Sequence, residues 1–182
     1  MPIPKKLEKY LEKHNIAHDV VEHRKIYTAF DLAQTTGKKL SEIAKTIAIK
    51  VDTTYALIVI PASHRVDITK LKKKLDAKKL SIIKEVELAK VLKVKPGSIT
   101  PFATYHKIPI YIDKNLLKSR VILVSTGSFT ESLKVKTKVL IDKGAQSLER
   151  ISKKHFSDVK IKSEKSVRKK RAKRSSVRGR KK

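Results

Sequence analysis

The sequence predicts an α+β fold, in which a single domain with a mixed, largely antiparallel and barrel-like β-sheet is flanked by helices and followed by a disordered basic tail. Short alternating apolar stretches joined by tight turns indicate strands, and stretches with apolar residues one turn apart indicate the intervening helices. Near residue 150 the periodic apolar patterns give way to a run of basic residues. We therefore predict a folded domain over residues 1–150 and a tail over residues 151–182.

Helices are predicted where apolar residues recur at helical spacing and where end signals flank them. Thr28 is a typical capping residue at the start of one segment, and Gly37 is a typical residue just past a helix end. The sequence Pro96-Gly97-Ser98 breaks the last helix. The predicted helices cover Pro4–His14, Thr28–Gly37, Asp67–Leu75 and Glu85–Lys93.

Strands are predicted where apolar and polar residues alternate, or where apolar residues form short runs of strand length. The two strands on either side of Thr53-Thr54 are expected to pair as a hairpin through that turn. The predicted strands cover His18–Glu22, Ile43–Val51, Tyr55–Pro61, Leu80–Ile83, Ile108–Ile112, Val121–Val124 and Leu133–Val135.

Lys45 has an unusual position for a lysine within its predicted strand. In the segment Ile43–Val51 it shares its parity with four large apolar residues, so one continuous strand places its side chain on their side. A lysine that faces a core must reach solvent, pair with an anion or lose its proton. The strand pattern by itself favours the first of these, a lysine that reaches solvent from a strand edge.

The composition is strongly basic, with 45 Lys and Arg residues, 17 Asp and Glu residues and a formal net charge of +28. Such a surface attracts polyanions, namely RNA, DNA or an anionic membrane. The absence of cysteine excludes disulfides, thiolate metal sites and thiol nucleophiles. The sequence shows no secretory signal and no apolar run near the ~18 residues of a membrane span, so we expect a cytoplasmic protein without a membrane partner.

The basic residues are concentrated at the carboxyl end of the chain. Residues 151–182 contain fifteen basic and two acidic residues, and eleven of the last eighteen residues are basic. With so few apolar residues this segment cannot build a core, and its charge predicts non-specific binding to RNA or DNA. The residues expected to contact nucleic acid are Arg168, Lys169, Lys170, Arg171, Lys173 and Arg174.

Two glycine loops are the other candidates for chemistry. Gly97–Pro101 and Thr126–Phe129 combine glycine with small polar residues, and glycine lets backbone N–H groups approach a ligand closely. Either loop by itself is more often an ordinary turn. The serines near the second loop have no base beside them in sequence, and no triad, metal-binding spacing or nucleotide-binding fingerprint is visible. We therefore expect neither a metal nor a cofactor.

The order of these features along the chain resembles that of a known family. The segments that carry the resemblance are Val20–His23, Ile26–Ala29, Glu42–Thr46, Val59–Ala62, Arg65–Asp67, Gly97–Phe102, Pro109–Asp113, Gly127-Ser128 and Glu131–Leu133. Over about residues 5–140, this ordered set resembles the YbaK / prolyl-tRNA editing-domain family, which is related to the insertion domain of bacterial prolyl-tRNA synthetases. Its most specific parts are the Gly-x-x-x-Pro loop and the lysine in Ala-Lys-Thr.

The resemblance implies a deacylase that removes a wrong amino acid, such as alanine or cysteine, from mischarged tRNA. It implies that Lys45 holds the phosphate or sugar end of the acylated nucleotide and that Gly97–Pro101 shapes the amino-acid pocket. Some members have a histidine or another polar residue where this chain has Phe129, which leaves the amino acid that is removed open. The implied catalytic residues are Lys45, Gly127 and Ser128, and the implied substrate-binding residues are Tyr27, Thr28, Thr46, Gly97, Ser98, Pro101 and Phe129.

A simple mechanism is compatible with these residues. An aminoacyl ester is already reactive, so holding it in line with one water gives much of the acceleration. Backbone N–H groups of the glycine loops are expected to stabilise the oxyanion, and in the resembled family a ribose hydroxyl of the substrate assists. The expected partners are the acceptor end of mischarged tRNA and an aminoacyl-tRNA synthetase. Two alternatives stay open, an inactive module that binds tRNA or a synthetase, and a general basic nucleic-acid-binding protein.

Overall fold

The computed structural model describes residues 3–83, 87, 90 and 99–155, and its architecture confirms the predicted α+β class. Within these residues, five α-helices and two 3-10 helices accompany ten strands in three sheets. The strands are β1 (His18–Glu22), β2 (Ala44–Val51), β3 (Thr54–Pro61), β4 (His64–Val66), β5 (Leu80–Ile82), β6 (Ile110–Asp113), β7 (Val121–Ser125), β8 (Glu131–Lys136), β9 (Gln146–Leu148) and β10 (Ser152–Lys154). The helices are α1 (Lys5–Lys13), α2 (Ala29–Thr36), α3 (Ile68–Lys74), α4 (Ala103–His106) and α5 (Lys138–Asp142), with 3-10 helices at Leu40–Glu42 and Leu116–Lys118.

A five-stranded sheet in the order β5-β2-β3-β6-β9 forms the centre of the fold. β2 pairs antiparallel with β3 over its whole length, from Ala44 opposite Pro61 to Val51 opposite Thr54. β5 pairs antiparallel with the end of β2, whereas β6 and β9 extend the other side of the sheet in parallel. The sheet is therefore mixed, as predicted.

β3 is covered on both faces, which explains its continuous apolar run. Leu57 and Val59 pack into a core cluster that also contains residues of α1, β6, β7 and β8. Ile58 points to the other face and packs into a cluster with α3. A third, smaller cluster joins α2 to β7 through Ile43. The central strand thus connects the two larger cores.

The other strands form a three-stranded antiparallel sheet, β1-β8-β7, and a two-stranded ribbon, β4-β10. One parallel bridge between Ile43 and Leu123 links the start of β2 to β7. A closed barrel requires two ladder partners for every strand. In the part of the chain that the structure describes, β1, β5, β7 and β9 each lie at the end of a sheet. The barrel-like element of the prediction is therefore wrong, and three sheets share the cores instead.

The ends of α2 follow the predicted signals. Thr28 and Asp31 form a capping box, in which each backbone N–H donates to the other residue's side chain at 3.1 Å. Gly37 ends the helix in the left-handed conformation with φ of 70°, which glycine adopts without steric cost. The predicted helices near α1 and α3 are confirmed with small differences at their ends.

Several local features differ from the prediction. The β2–β3 turn is Asp52-Thr53, one residue earlier than expected, because Asp52 adopts a φ of 51° and its carboxylate accepts from two backbone N–H groups. β4, β9, β10, α4 and α5 were not predicted, since elements this short carry too little periodicity to be recognised. The predicted helix Glu85–Lys93 lies outside the described residues, apart from Glu87 and Lys90, which are helical.

The folded region extends past residue 150, where the sequence placed the boundary. Ile151 is fully buried, and the Ser152 hydroxyl donates to Asp113 Oδ2 at 2.6 Å. β10 then pairs with β4. The first residues of the predicted tail therefore belong to the fold, and residues 156–182 lie outside the described residues.

The ring of His106 holds the loop that precedes α4. Its Nε2 lies 2.9 Å from the Thr100 carbonyl oxygen and 3.0 Å from Thr100 Oγ1. Burial lowers the pKa of His106 below its ordinary value, the hydrogen bond to the Thr100 backbone opposes this shift, and the charge of Lys6 adds to it. The fold thus favours the neutral imidazole.

We predict that His106 destabilises the fold in mild acid. Between its lowered pKa in the folded state and the ordinary histidine value of about 6.5, the unfolded state binds more protons, so the free energy of unfolding falls as the pH falls. His106→Gln should flatten this fall, measured as melting temperature from about pH 7.5 to about pH 5. His18→Gln, at an exposed position on β1, is the matched control. An unchanged slope in His106→Gln would contradict the prediction.

Candidate active site

A cavity of about 350 Å³ lies where α2, β2 and the β7–β8 sheet meet. Its walls are mainly apolar, and Lys45 is the one charged side chain among the described residues that line it. Apolar walls with a few polar groups are typical of small-molecule pockets, whose volumes are about 300–1,000 Å³. The cavity therefore has the character and size of a site for a small ligand or for one end of a larger one.

The cavity runs along an edge of β2 that β5 leaves uncovered. β5 pairs with β2 only over residues 49–51, and just before them the Ile83 N–H donates to the Ala48 carbonyl at 3.0 Å. Backbone groups of a strand alternate in direction, so the N–H and C=O of Thr46 point the same way as those of Ala48. No described residue bonds them, and Thr46 lines the cavity. Among the described residues, β2 thus leaves these backbone donors and acceptors available to a ligand.

Lys45 lies next to this uncovered edge. Its side chain is half-buried, and its Nζ donates to the His64 carbonyl oxygen at 3.4 Å. Among the described residues no carboxylate forms an ion pair with it, and burial lowers the pKa of Lys45 below its ordinary value. Attraction between charges strengthens where water is excluded. The ammonium group is therefore well placed to bind an anionic group of a ligand.

The end of the described chain lies near Lys45. Ser63 precedes the residue whose carbonyl accepts from Lys45, and the Ser63 carbonyl itself accepts from the His155 N–H at 2.9 Å. On the β4-β10 ribbon, the exposed Lys153 lies directly opposite the exposed Arg65. Like charges in this arrangement repel. Two exposed basic residues therefore lie on the ribbon that begins at the residue accepting from Lys45, and the described chain ends at His155, just after that ribbon.

The turn around Gly127 forms another part of the site. Gly127 has a φ of 89°, a left-handed conformation that favours glycine. The Ser128 N–H donates to Thr126 Oγ1 at 3.0 Å, and the Thr130 N–H donates to Ser128 Oγ at 3.1 Å. The turn thus uses backbone N–H groups for its own structure. The Ser128 N–H, expected from the sequence to stabilise an oxyanion, is already engaged.

Tyr27 and Phe129 form an aromatic pair at the cavity. Their ring centroids are 5.5 Å apart, and Tyr27 is 63% exposed. The Ile26 N–H donates to the Phe129 carbonyl at 2.9 Å, which holds the two segments together. An aromatic pair with one exposed ring, beside a cavity, provides a surface on which a nucleobase can stack.

Six of the ten predicted pocket residues line the cavity. Among the other four, Pro101 is buried two residues after the lining residue Ile99, and Gly127 lies in the turn just before Ser128. Gly97 and Ser98 lie outside the described residues, as do the six basic tail residues Arg168, Lys169, Lys170, Arg171, Lys173 and Arg174. The six predicted residues that line the cavity are Tyr27, Thr28, Lys45, Thr46, Ser128 and Phe129.

The hydroxyl of Thr28 has a structural use. It donates to Asp31 Oδ2 at 2.8 Å and accepts from the Asp31 N–H at 3.1 Å, which closes the cap of α2. Hydrogen bonding from Thr28 is the main reason that the pKa of Asp31 lies below its ordinary value. Thr28 therefore shapes the wall of the cavity, while its hydroxyl is committed to the cap.

Most residues of the apolar wall could not be identified from the sequence, because side chains that line a cavity show the same sequence pattern as core side chains. Two serines were also missed, Ser125 and Ser132, which are cross-strand neighbours on β7 and β8. Ser132 has a base beside it in space, since its Oγ lies 2.9 Å from His23 Nε2. The apolar lining residues are Ile26, Ala29, Leu32, Ile43, Ala44, Ile47, Ala48, Ile82, Ile83 and Ile99.

Over residues 3–83 and 99–155, together with residues 87 and 90, no group of three or more His, Asp or Glu side chains is arranged to hold a metal ion. Over the same residues, no helix is long and apolar enough to cross a membrane.

Comparison with known proteins identifies the family. A family model described as an aminoacyl-tRNA editing domain matches residues 23–143, which is more than half of the chain and includes β2, the Gly127 turn and most of the cavity. The chain belongs to the aminoacyl-tRNA editing domain family. The resemblance inferred from the ordered sequence motifs is thereby confirmed.

The editing domain aligns with part of much longer proteins. It is 30% identical over 104 residues to a proline–tRNA ligase from Staphylococcus saprophyticus and 28% identical over 103 residues to one from Staphylococcus aureus. Each alignment covers 56% of this chain and 18% of the ligase. The chain therefore matches less than a fifth of the length of these relatives.

Solved structures share the fold of the editing domain over most of the chain. A hypothetical protein, APE2540, superposes with a TM-score of 0.75 at 20% identity and covers 81% of this chain and 99% of its own. A candidate trans-editing enzyme for prolyl-tRNA synthetase superposes with a TM-score of 0.71 at 22% identity, covering 82% of this chain and 96% of its own. At these identities the likeness establishes the fold.

We predict that Lys45 lowers the stability of the editing domain. Lys45→Met keeps an unbranched side chain and removes a charge whose burial is unfavourable. The free energy of unfolding should rise by about 0.5–1 kcal/mol, in the range of single stabilising substitutions, and the melting temperature by about 1–4 °C. Lys50→Met, on the same strand, is the control: Lys50 pairs with Glu87 at 3.6 Å with both side chains partly exposed, and its loss should change stability by less than about 0.5 kcal/mol. A lower melting temperature in Lys45→Met would argue against the prediction.

Proposed function

We propose that this editing domain is a trans-editing hydrolase that deacylates mischarged aminoacyl-tRNA of the Ala- or Cys-tRNA(Pro) type. The observation that carries the proposal is a half-buried lysine, Lys45, on a small and mainly apolar cavity. Family membership and the alignment with part of proline–tRNA ligases support a tRNA substrate. The catalytic unit is the domain predicted over residues 1–150, together with β10.

Lys45 acts as an anchor for the phosphate or ribose of the terminal nucleotide. Its ammonium group donates to the His64 carbonyl, and a hydrogen bond of this kind favours the charged form. A general base must instead be neutral and close to the water that it activates. The charged form of Lys45 therefore suits attraction to an anion better than it suits proton abstraction.

The acyl group enters among the apolar side chains of the cavity. Apart from Lys45, the described lining residues are uncharged, so an acidic or basic amino-acid side chain would lose hydration there without gaining a partner among them. The volume of about 350 Å³ lies at the lower end for ligand pockets and favours a small acyl group. One methylene in such a pocket is worth about 1–3 kcal/mol, which separates small amino acids by size.

Backbone groups of β2 stabilise the reacting ester. The Thr46 N–H points towards the uncovered edge, and one such donor to an oxyanion is typically worth about 2.7–4 kcal/mol. The Gly127-Ser128 turn acts as a wall that fixes the ester. A positioned water attacks, with help from a ribose hydroxyl of the substrate. Tyr27 and Phe129 stack on the terminal base outside the cavity.

The test is a deacylation assay across a panel of mischarged tRNAs, including alanyl- and cysteinyl-tRNA(Pro), with correctly charged prolyl-tRNA(Pro) for comparison. We expect hydrolysis of a small mischarged amino acid and a loss of about 10²-fold or more in kcat/KM for Lys45→Ala, because an electrostatic contact to the substrate is removed. Lys50→Ala, a lysine five residues along the same strand that does not line the cavity, should retain wild-type activity.

The outcomes separate the remaining alternatives. Wild-type protein that binds aminoacyl-tRNA but hydrolyses none of the panel would be an inactive binding module. Equal binding to acylated tRNA, uncharged tRNA and DNA without hydrolysis would indicate a general nucleic-acid-binding protein. A fully active and correctly folded Lys45→Ala would refute the anchor.

The basic tail is proposed to bind the tRNA backbone. The observation in its favour is the position of His155, which is bonded to Ser63 near Lys45 and leads the chain into the tail. A flexible segment of eighteen residues has an r.m.s. span of roughly 25 Å, enough to reach past the acceptor end. If the tail makes about five phosphate contacts, affinity for tRNA should fall roughly 10²–10³-fold between 50 and 200 mM salt.

Deleting Lys165–Lys182 should flatten the salt dependence of tRNA binding, measured by filter binding or fluorescence anisotropy. A variant in which the eleven basic residues of this segment become Gln keeps the chain length and should behave like the deletion. A salt slope equal to that of the wild type in both variants would refute tail binding. A loss of affinity that is equal for tRNA and for unrelated DNA would mean that the tail attracts any polyanion.

A further inference from the structure

His23 and Ser132 form a hydrogen-bonded pair at the wall of the cavity. Ser132 Oγ lies 2.9 Å from His23 Nε2, and Ser132 lines the cavity although it is only 3% exposed. The two residues are 109 positions apart and meet because β1 pairs with β8. A hydroxyl in contact with an imidazole is an arrangement that can transfer a proton.

The second ring nitrogen of His23 determines the direction of this hydrogen bond. Nδ1 lies 2.9 Å from the Arg24 carbonyl oxygen, which can only accept, so Nδ1 carries the hydrogen of the neutral ring. Nε2 is then an acceptor, and the Ser132 hydroxyl donates to it. The lone pairs of Ser132 Oγ are left to accept from a donor within the cavity.

The backbone holds the pair in place. The His23 N–H donates to the Thr130 carbonyl at 2.9 Å, two residues before Ser132. The imidazole is thus fixed through its backbone and through both ring nitrogens. Functional groups held in this way need little rearrangement during a reaction.

We propose that Ser132 and His23 form a proton relay for the hydrolytic water, with Ser132 as the catalytic residue and His23 as the positioning residue that receives the proton. The inference rests on the deacylase function proposed above, and it supplies a side-chain base that no neighbouring residue in the sequence provides. Ser132 is recessed in the wall, so a water reaches its Oγ more readily than a bulky ester carbonyl does. This geometry favours a relay over a nucleophile that forms an acyl-enzyme.

Every proton that moves along this path is accounted for. The water oxygen bonds to the ester carbonyl carbon, the water proton passes to Ser132 Oγ, and the original Ser132 proton passes to His23 Nε2. When the bond between the carbonyl carbon and the ribose oxygen breaks, the same path returns a proton to the ribose oxygen. The products are the free amino acid and the uncharged 3′ end of the tRNA, without a further reactant.

The experiment compares Ser132→Ala, His23→Ala and the double variant of the full chain, on the mischarged tRNA that the wild-type protein hydrolyses fastest. Each single substitution should lower kcat by about 10²–10⁴-fold, the usual contribution of general acid–base catalysis, with little change in KM. The double variant should be no slower than the slower single variant, because both substitutions interrupt one path. Added imidazole should restore part of the activity of His23→Ala, but not of Ser132→Ala or the double variant.

Three controls separate a relay from a structural role. Ser132→Thr keeps the hydroxyl and should retain more activity than Ser132→Ala. His18→Ala removes the histidine at the start of β1, which does not line the cavity, and should keep wild-type kcat. Melting temperatures identify any variant that fails to fold, and Ser132→Thr and imidazole rescue then decide the question in the folded variants.

Wild-type kcat in Ser132→Ala, additive losses in the double variant, or a loss confined to KM would each overturn the relay while leaving deacylation established. A wild-type protein that hydrolyses none of the mischarged tRNAs would overturn both the relay and the proposed function. Loss of kcat that imidazole does not restore in folded His23→Ala would assign His23 a structural role and also overturn the relay.

Discussion

The ladder between β2 and β3 determines where the site lies. β3 is buried on both faces, so β2 is held along its whole length on one side. On its other side β5 pairs only with residues 49–51, and among the described residues the cavity occupies the stretch of β2 before them. Because side chains alternate along a strand, a slip of one residue in this ladder would exchange the directions of Lys45 and Thr46. The geometry of the site therefore depends on apolar contacts that no ligand touches.

The charges that attract a polyanion and the residues that would select an acyl group lie in different parts of this molecule. The formal charge of +28 attracts a polyanion from any direction, but among the described residues only one charged side chain lines the cavity. Long-range charge raises the rate of encounter and adds little discrimination between similar ligands. Discrimination between acyl groups has to come from the isoleucine and alanine walls and from the few polar atoms among them. Under the proposed function, broad attraction to RNA and narrow choice of the acyl group therefore come from different parts of the protein.

Local features were predictable from the sequence, and features that depend on distant pairing were not. The strand around Lys45 and the caps of α2 were predicted because neighbouring residues determine them. The parity argument for Lys45 was incomplete, since Ala44 and Ala48 on the opposite side of β2 are also buried. What distinguishes Lys45 is the edge beside it that β5 leaves uncovered, and that edge depends on where β5 ends.

Pairing between segments that are distant in sequence also explains the other differences between the predicted and the observed structure. β10 was assigned to the tail because Lys153 and Lys154 resemble the basic run that follows, while its partner strand β4 lies far away in sequence. The contact between His23 and Ser132 could not be predicted, because it requires the register of β1 with β8. Six of the residues implied by the family resemblance line the cavity, but the resemblance did not predict which backbone groups were already engaged.

The hydrogen bond between His155 and Ser63 determines where the predicted tail starts relative to the cavity. It fixes the origin of residues 156–182 within a few residues of the carbonyl that accepts from Lys45. Under the proposal that the tail binds tRNA, the bound tRNA meets the cavity as a tethered ligand rather than as one free in solution. For short linkers the effective concentration of such a ligand is on the order of millimolar. Weak contacts in the cavity then suffice, so the cavity can release each product quickly.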